Sequence, residues 1–173
     1  MAKQHVVILG AALGGAIAAF EIKHALAASA DVTVVSQGGV FHFVPSNPWV
    51  AVRWREPKAI QVELAPALAR RGVRLRPEGA RRLHPAENRV ELSNGESVDY
   101  DYLVIATGPD LAFDEIEGLG PQGHTQSVCH VEHAERAAAA FEEFAKAPGP
   151  IVVGAVQGAS CFGPAYEFAM ILN

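Results

Sequence analysis

Residues 5–9, His-Val-Val-Ile-Leu, form an apolar, largely β-branched run that stops at Gly10, the pattern of a strand buried on both faces. The alanine-rich stretch behind it predicts a helix over about 14–28. Residues 31–35 (Asp-Val-Thr-Val-Val) predict a second strand, and a helix near 59–71 leads to a short strand at 73–76, giving β-α-β-α-β. Between them, 37–57 is rich in Gly, Pro and aromatic residues and reads as a long loop of the kind that carries function. From 79 onward the runs shorten. Residues 79–84, 89–93 and 97–101 predict three antiparallel strands, with Asn94-Gly95 as a hairpin turn. Residues 102–106 (Tyr-Leu-Val-Ile-Ala) return to the parallel pattern and stop at Thr107-Gly108-Pro109. A connector over 110–130 precedes a helix at 132–147, which Pro148-Gly149-Pro150 breaks. Residues 151–153 then read as another buried strand ending at Gly154, and Pro164 places the start of a last helix near 163–164.

This order predicts an α/β chain in three parts. Residues 1–113 form a nucleotide-binding domain carrying the antiparallel meander at about 79–101. Residues 114–147 are a connector and helix, and 148–173 are the incomplete start of a second domain that opens the same way. That last helix reads as one that should continue, so the sequence is expected to be a piece of a longer protein.

Composition narrows the function classes. The chain has 173 residues, half of them hydrophobic, and a formal charge of -5. No basic run exceeds Arg81-Arg82 and none alternates with aromatics, which argues against nucleic acid. No apolar run approaches the ~20 residues of a membrane span, and the apolar start is too short for a signal peptide. Two cysteines, Cys129 and Cys161, cannot form a disulfide framework and leave packing or redox chemistry open. No metal-ligand spacing is present.

The chemistry concentrates where strands end. Gly10-Ala11-Ala12-Leu13-Gly14-Gly15 follows a strand and opens a helix. Gly10 suits the tight turn, a small residue at 12 lets a pyrophosphate approach the backbone, and Gly15 permits close helix–strand packing. The phosphates would then lie on the helix N-terminus, where N–H groups and the dipole favour anions. Ala12 narrows that approach without closing it. Ser36 stands where an Asp or Glu usually holds ribose hydroxyls; it either makes a weaker hydrogen bond there or simply begins a turn. At the second strand-glycine start, Gly154-Ala-Val-Gln-Gly-Ala159, the β-branched Val156 blocks close backbone approach, so no NAD(P)H is expected to bind. Cys161 falls just before the last predicted helix. It reads equally as a thiolate favoured by the helix end or as a small packed cysteine.

The meander followed by a strand ending in Ala106-Thr107-Gly108 resembles the glutathione-reductase-like flavoproteins with two dinucleotide-binding domains. That likeness implies a Rossmann-like FAD-binding domain and the beginning of a second one. Three longer stretches are more specific: Phe43-Val-Pro-Ser-Asn-Pro-Trp49, Gln126-Ser-Val-Cys-His-Val-Glu-His-Ala-Glu135 and Ser160-Cys-Phe-Gly-Pro-Ala-Tyr-Glu-Phe168. Together they resemble the sulfide:quinone oxidoreductases over essentially the whole chain. The resemblance implies a membrane-peripheral enzyme of the cytoplasmic membrane that oxidises sulfide at a cysteine pair and passes two electrons through FAD to quinone. It makes Cys161 one of the redox pair, matches Cys129 to a further cysteine, and matches His133 to a histidine that handles protons. It places Gly10, Ala11, Ala12, Gly14, Gly15, Ser36, Gln37, Gly79, Ala106, Thr107 and Gly108 at FAD, with Phe43, Val44 and Pro45 toward the isoalloxazine.

The family's flavin-proximal cysteine, its quinone pocket and its membrane-binding helices belong to a C-terminal half with no counterpart here. The given sequence alone is therefore expected to be soluble and not to turn over sulfide. Two other readings stay in view: the flavin subunit of flavocytochrome c sulfide dehydrogenase, and a non-catalytic, truncated FAD-binding module. A type II NADH dehydrogenase is disfavoured by Val156.

Overall fold

The structure is a computed structural model that describes residues 3–159 and 161–172. Ser160 of the 160–168 stretch lies outside them. Strand β1 (Gln4–Leu9) is followed by helix α1 (Leu13–Leu26) and strand β2 (Ala30–Val35). Short β3 (Val40–His42), α2 (Asn47–Ala51), β4 (Gln61–Glu63) and α3 (Leu64–Ala69) lead to β5 (Arg74–Arg76). Strands β6 (Ala80–His84), β7 (Arg89–Leu92) and β8 (Ser97–Asp99) form the meander, and β9 (Tyr102–Ile105) rejoins the parallel sheet. Helices α4 (Val131–Phe144) and α5 (Gly163–Ile171) follow.

Two compact units result: residues 1–42 with 62–110, and residues 43–61 with 111–173. The first is built on a four-stranded sheet in the order β5-β2-β1-β9, all parallel. β1 is buried from Val6 to Leu9 because it is paired on both sides. Its two faces bury different partners. Val6 and Ile8 pack with Val32, Val34 and Ala19 of α1, and Val7 and Leu9 pack with Val35 and the meander's Val90, Leu92 and Val98. Burying such side chains contributes roughly 1.5–3 kcal/mol each.

Helix α1 follows from its alanines and presents its small residues, Gly15 and Ala19, to the sheet. It stops where Ala27 takes a positive φ (47°), and Lys23 Nζ donates to the carbonyls of Ala27 and Ala30 at 2.9 Å, covering the carbonyl end. The hairpin at Asn94-Gly95 forms as expected. Gly95 takes φ 87°, and the Glu96 N–H is held by Asn94 Oδ1 at 3.0 Å.

In the second unit α2 packs along α4: Val50 and Ala51 meet Val131, Ala134 and Ala137, with Ile60 beside them. The segment predicted as a plain loop over 37–57 thus holds a strand and a helix. The predicted helix near 59–71 shortens to α3 because 61–63 pair with β3 instead.

One predicted element is absent. Residues 151–153 form no strand, and Val152 is 97% exposed. The β-branched run is there, but among the described residues no strand lies alongside to take its backbone hydrogen bonds, and an unpaired strand leaves those groups to water.

Candidate functional site

All four strands of the β5-β2-β1-β9 sheet run the same way, so their carboxyl ends share one edge of it. Gly10 leaves β1 at φ 97°, its N–H donating to Val35 O at 2.8 Å. A Cβ on Gly10 would overlap Ala106 O, and one on Gly15 would overlap the Gly10 carbonyl. These two glycines let β1, β9 and the first turn of α1 interlock. Gly14 differs, since the nearest atom to a Cβ there is the Ala106 methyl at 4.0 Å.

Ala12 caps α1 in extended conformation with no side-chain hydrogen bond, and the first helical bond runs from Ala16 N–H to Ala12 O. The N–H groups before it have no helical partner, and the first turn carries no acidic residue. Ala12, Leu13 and Gly14 are exposed, so no side chain plugs the turn. Diphosphate chemistry requires these conditions: oriented donors, a positive dipole end and open space.

The flanks are set by the neighbouring strand ends. Ser36 is half-buried, with its N–H bound to Arg76 O at 2.9 Å. Gln37 bridges to Glu78, and Gly79 turns at φ 76° with its would-be Cβ 3.6 Å from that of Gln37. On the other side Ala106 is half-buried, while Thr107 and Gly108 are exposed, Gly108 at φ 78° with nothing within 4 Å of a Cβ.

The remaining predicted residues lie in the second unit. Phe43, Val44 and Pro45 are exposed at a single 3₁₀ turn, which the Ser46 N–H closes onto Phe43 O at 2.9 Å. Cys129 is exposed just before α4, its N–H on Ser127 Oγ at 3.2 Å. His133 lies in the first turn of α4 with its ring 5.7 Å from Phe113 and 5.1 Å, edge-on, from His130. Its Nδ1 is buried and unpartnered. Burial, then the adjacent His130, holds this imidazole below its usual range and therefore neutral at neutral pH. Cys161 is exposed two residues before α5, whose second position is Pro164, as the helix start predicted. Among the described residues no group of His, Cys, Asp and Glu could hold a metal.

The family profile of the pyridine nucleotide-disulphide oxidoreductases matches residues 4–170. The chain belongs to that family.

Among its relatives, this pyridine nucleotide-disulphide oxidoreductase is similar to the sulfide-quinone reductase of Aquifex aeolicus, 40% identical over 173 residues. The match takes in 100% of this chain and 39% of that protein. The crystal structure of the sulfide:quinone oxidoreductase from the same organism superposes with a TM-score of 0.91 at 40% identity, over 99% of this chain and 39% of that one. A NAD-dependent persulfide reductase from A. fulgidus is 25% identical with a TM-score of 0.68, over 80% of this chain and 28% of its own. The chain thus spans well under half the length of the relatives it matches.

For a pyridine nucleotide-disulphide oxidoreductase the fit of a dinucleotide can be judged from the cradle itself. The open turn at 12–14, the free space at Gly14 and Gly108, and the unpaired N–H groups of α1 suit a flavin dinucleotide. The residues at 154–159 have no strand ahead of them.

Sequence reasoning passed over Asn47. Its side chain is 0% exposed and both amide atoms lack partners, a burial that a proline-rich stretch without periodicity does not announce.

Proposed function

We propose that this chain is the FAD-binding portion of a sulfide:quinone oxidoreductase. The observation that carries the proposal is the open, interlocked turn at residues 10–15 on the central strand, in a chain alike over its full length to a sulfide-quinone reductase. Gly10, Ala11, Ala12, Gly14 and Gly15 would hold the diphosphate, Ser36 and Gln37 the ribose side, and Gly79, Ala106, Thr107 and Gly108 the flanks.

Bound FAD would supply a two-electron acceptor for sulfur and a donor to quinone. The chain's own part is then to hold sulfur and protons. In the whole protein Cys161 would supply one sulfur of an oxidised cysteine bridge; sulfide bonds to it as the bridge breaks and the partner cysteine leaves as thiolate, and the exposure of Cys161 suits that role. His133, kept neutral, is in the form that accepts a proton. Sulfide, quinone and a membrane surface are proposed as partners of the whole protein. No NAD(P)H is proposed, because a β-branched residue, Val156, stands where a dinucleotide turn needs a small one.

Thiol–disulfide chemistry needs two sulfurs in reach. Both cysteines here are free and exposed, which favours a second reading: a module that holds flavin without itself turning over sulfide. The test is an absorbance spectrum of the purified chain after FAD addition and desalting. Flavin bands retained near 375 and 450 nm (roughly, as for any oxidised flavin) are expected; a colourless, folded protein would refute FAD binding. Sulfide-dependent bleaching of those bands then separates enzyme from module.

A further inference from the structure

The second unit contains a short segment that is strained at both ends. Helix α2 has five residues and is held by Val50 and Ala51 against α4. On the same helical face, three and four positions earlier, Asn47 is 0% exposed with neither Oδ1 nor Nδ2 hydrogen-bonded. A primary amide offers two donors and two acceptor lone pairs, all of which water would use. Just past the other end of α2, Arg53 adopts φ 61°, a left-handed conformation uncommon for a residue with a side chain. Its Nε is tied to Glu142 Oε1 of α4 at 2.8 Å, and Arg55 lies over the Trp49 ring at 4.4 Å. The Arg53–Glu142 pair is about half exposed, and such pairs hold weakly.

We propose that residues 43–55, with α2 at their centre, form a two-state flap that this structure shows closed, and that closure is opposed by the stranded Asn47 amide. Apolar contact with α4 and the Arg53–Glu142 pair favour the closed state. Hydration of Asn47 and relaxation of Arg53 favour the open one. An orphaned buried amide and a left-handed non-glycine residue each raise the energy of the closed segment and so lower the cost of opening it locally. The two-state behaviour does not rest on the flavin reading.

The test is amide hydrogen exchange at Ala51, Arg53, Trp54 and Arg55 in the chain without added nucleotide, so its failure is separate from that of the flavin proposal. Asn47→Leu, the shape-matched apolar replacement, is expected to slow these amides by about tenfold while those of β1 and β2 keep their rates. Glu142→Gln, on the surface of α4, is expected to speed the same amides severalfold and to leave the sheet unchanged. Unchanged or faster exchange in Asn47→Leu, or changes shared equally by the sheet, would overturn the proposal. Should Asn47→Leu fail to fold, Glu142→Gln decides alone: no acceleration at these amides overturns it.

Discussion

Ala12 is the residue where helix stability and ligand affinity can be separated. It occupies the cap of α1 in the extended conformation that Asp favours, yet contributes no side-chain bond. Ala12→Asp should therefore stabilise the chain by about 0.5–2 kcal/mol, seen as a higher denaturant midpoint. The same carboxylate would face the diphosphate, so FAD affinity should fall at least ~10-fold in a fluorescence titration. A gain in both would mean that the diphosphate lies elsewhere. His133 gives the second residue-scale expectation. Its folded-state pKa is depressed by burial, so below the ordinary imidazole value of 6.5 the unfolded chain takes up a proton that the folded chain resists. Stability should accordingly decline as pH drops through that value. His133→Gln should flatten that part of the profile in thermal melts recorded between about pH 5 and 8.

At the scale of elements, the contrast between two valines checks the sheet. Val34 is 0% exposed within the α1-facing core, and Val34→Ala should cost about 2 kcal/mol. Val152 is exposed in a stretch with no strand, and Val152→Ser should change stability by less than ~0.5 kcal/mol. Denaturant unfolding of both variants measures this; a large effect at Val152 would show that 151–153 is packed after all. The same pair explains what could be read in the residues. The runs at 5–9, 31–35 and 102–105 carry β-branched residues and also find neighbours, so pattern and pairing agree. The run at 151–153 has the pattern alone, and periodicity says nothing about whether a neighbouring strand exists. Helix α2 was hidden for the opposite reason: five residues with a proline in second position are too few to show a helical repeat.

At the scale of the whole molecule, the glycine positions of the cradle were legible because only glycine tolerates the overlaps at 10 and 15, and such needs are written in the sequence. The surroundings of His133 and the burial of Asn47 were not, because both depend on contacts between segments far apart in the chain. Function follows the same division. The glycine turn at 10–15 belongs to the first unit, whereas both cysteines stand exposed and free in the second. Under the module reading, flavin colour should be retained without sulfide turnover.

The turn at residues 10–15 is fixed by main-chain atoms pressing on one another, not by side chains that could swing aside. Such a loop reaches its ligand already ordered, so little freedom remains to be lost on association. Capture of a nucleotide there should leave the local backbone within about 1 Å of its starting position, and the speed of capture should follow diffusion and charge instead of any rearrangement.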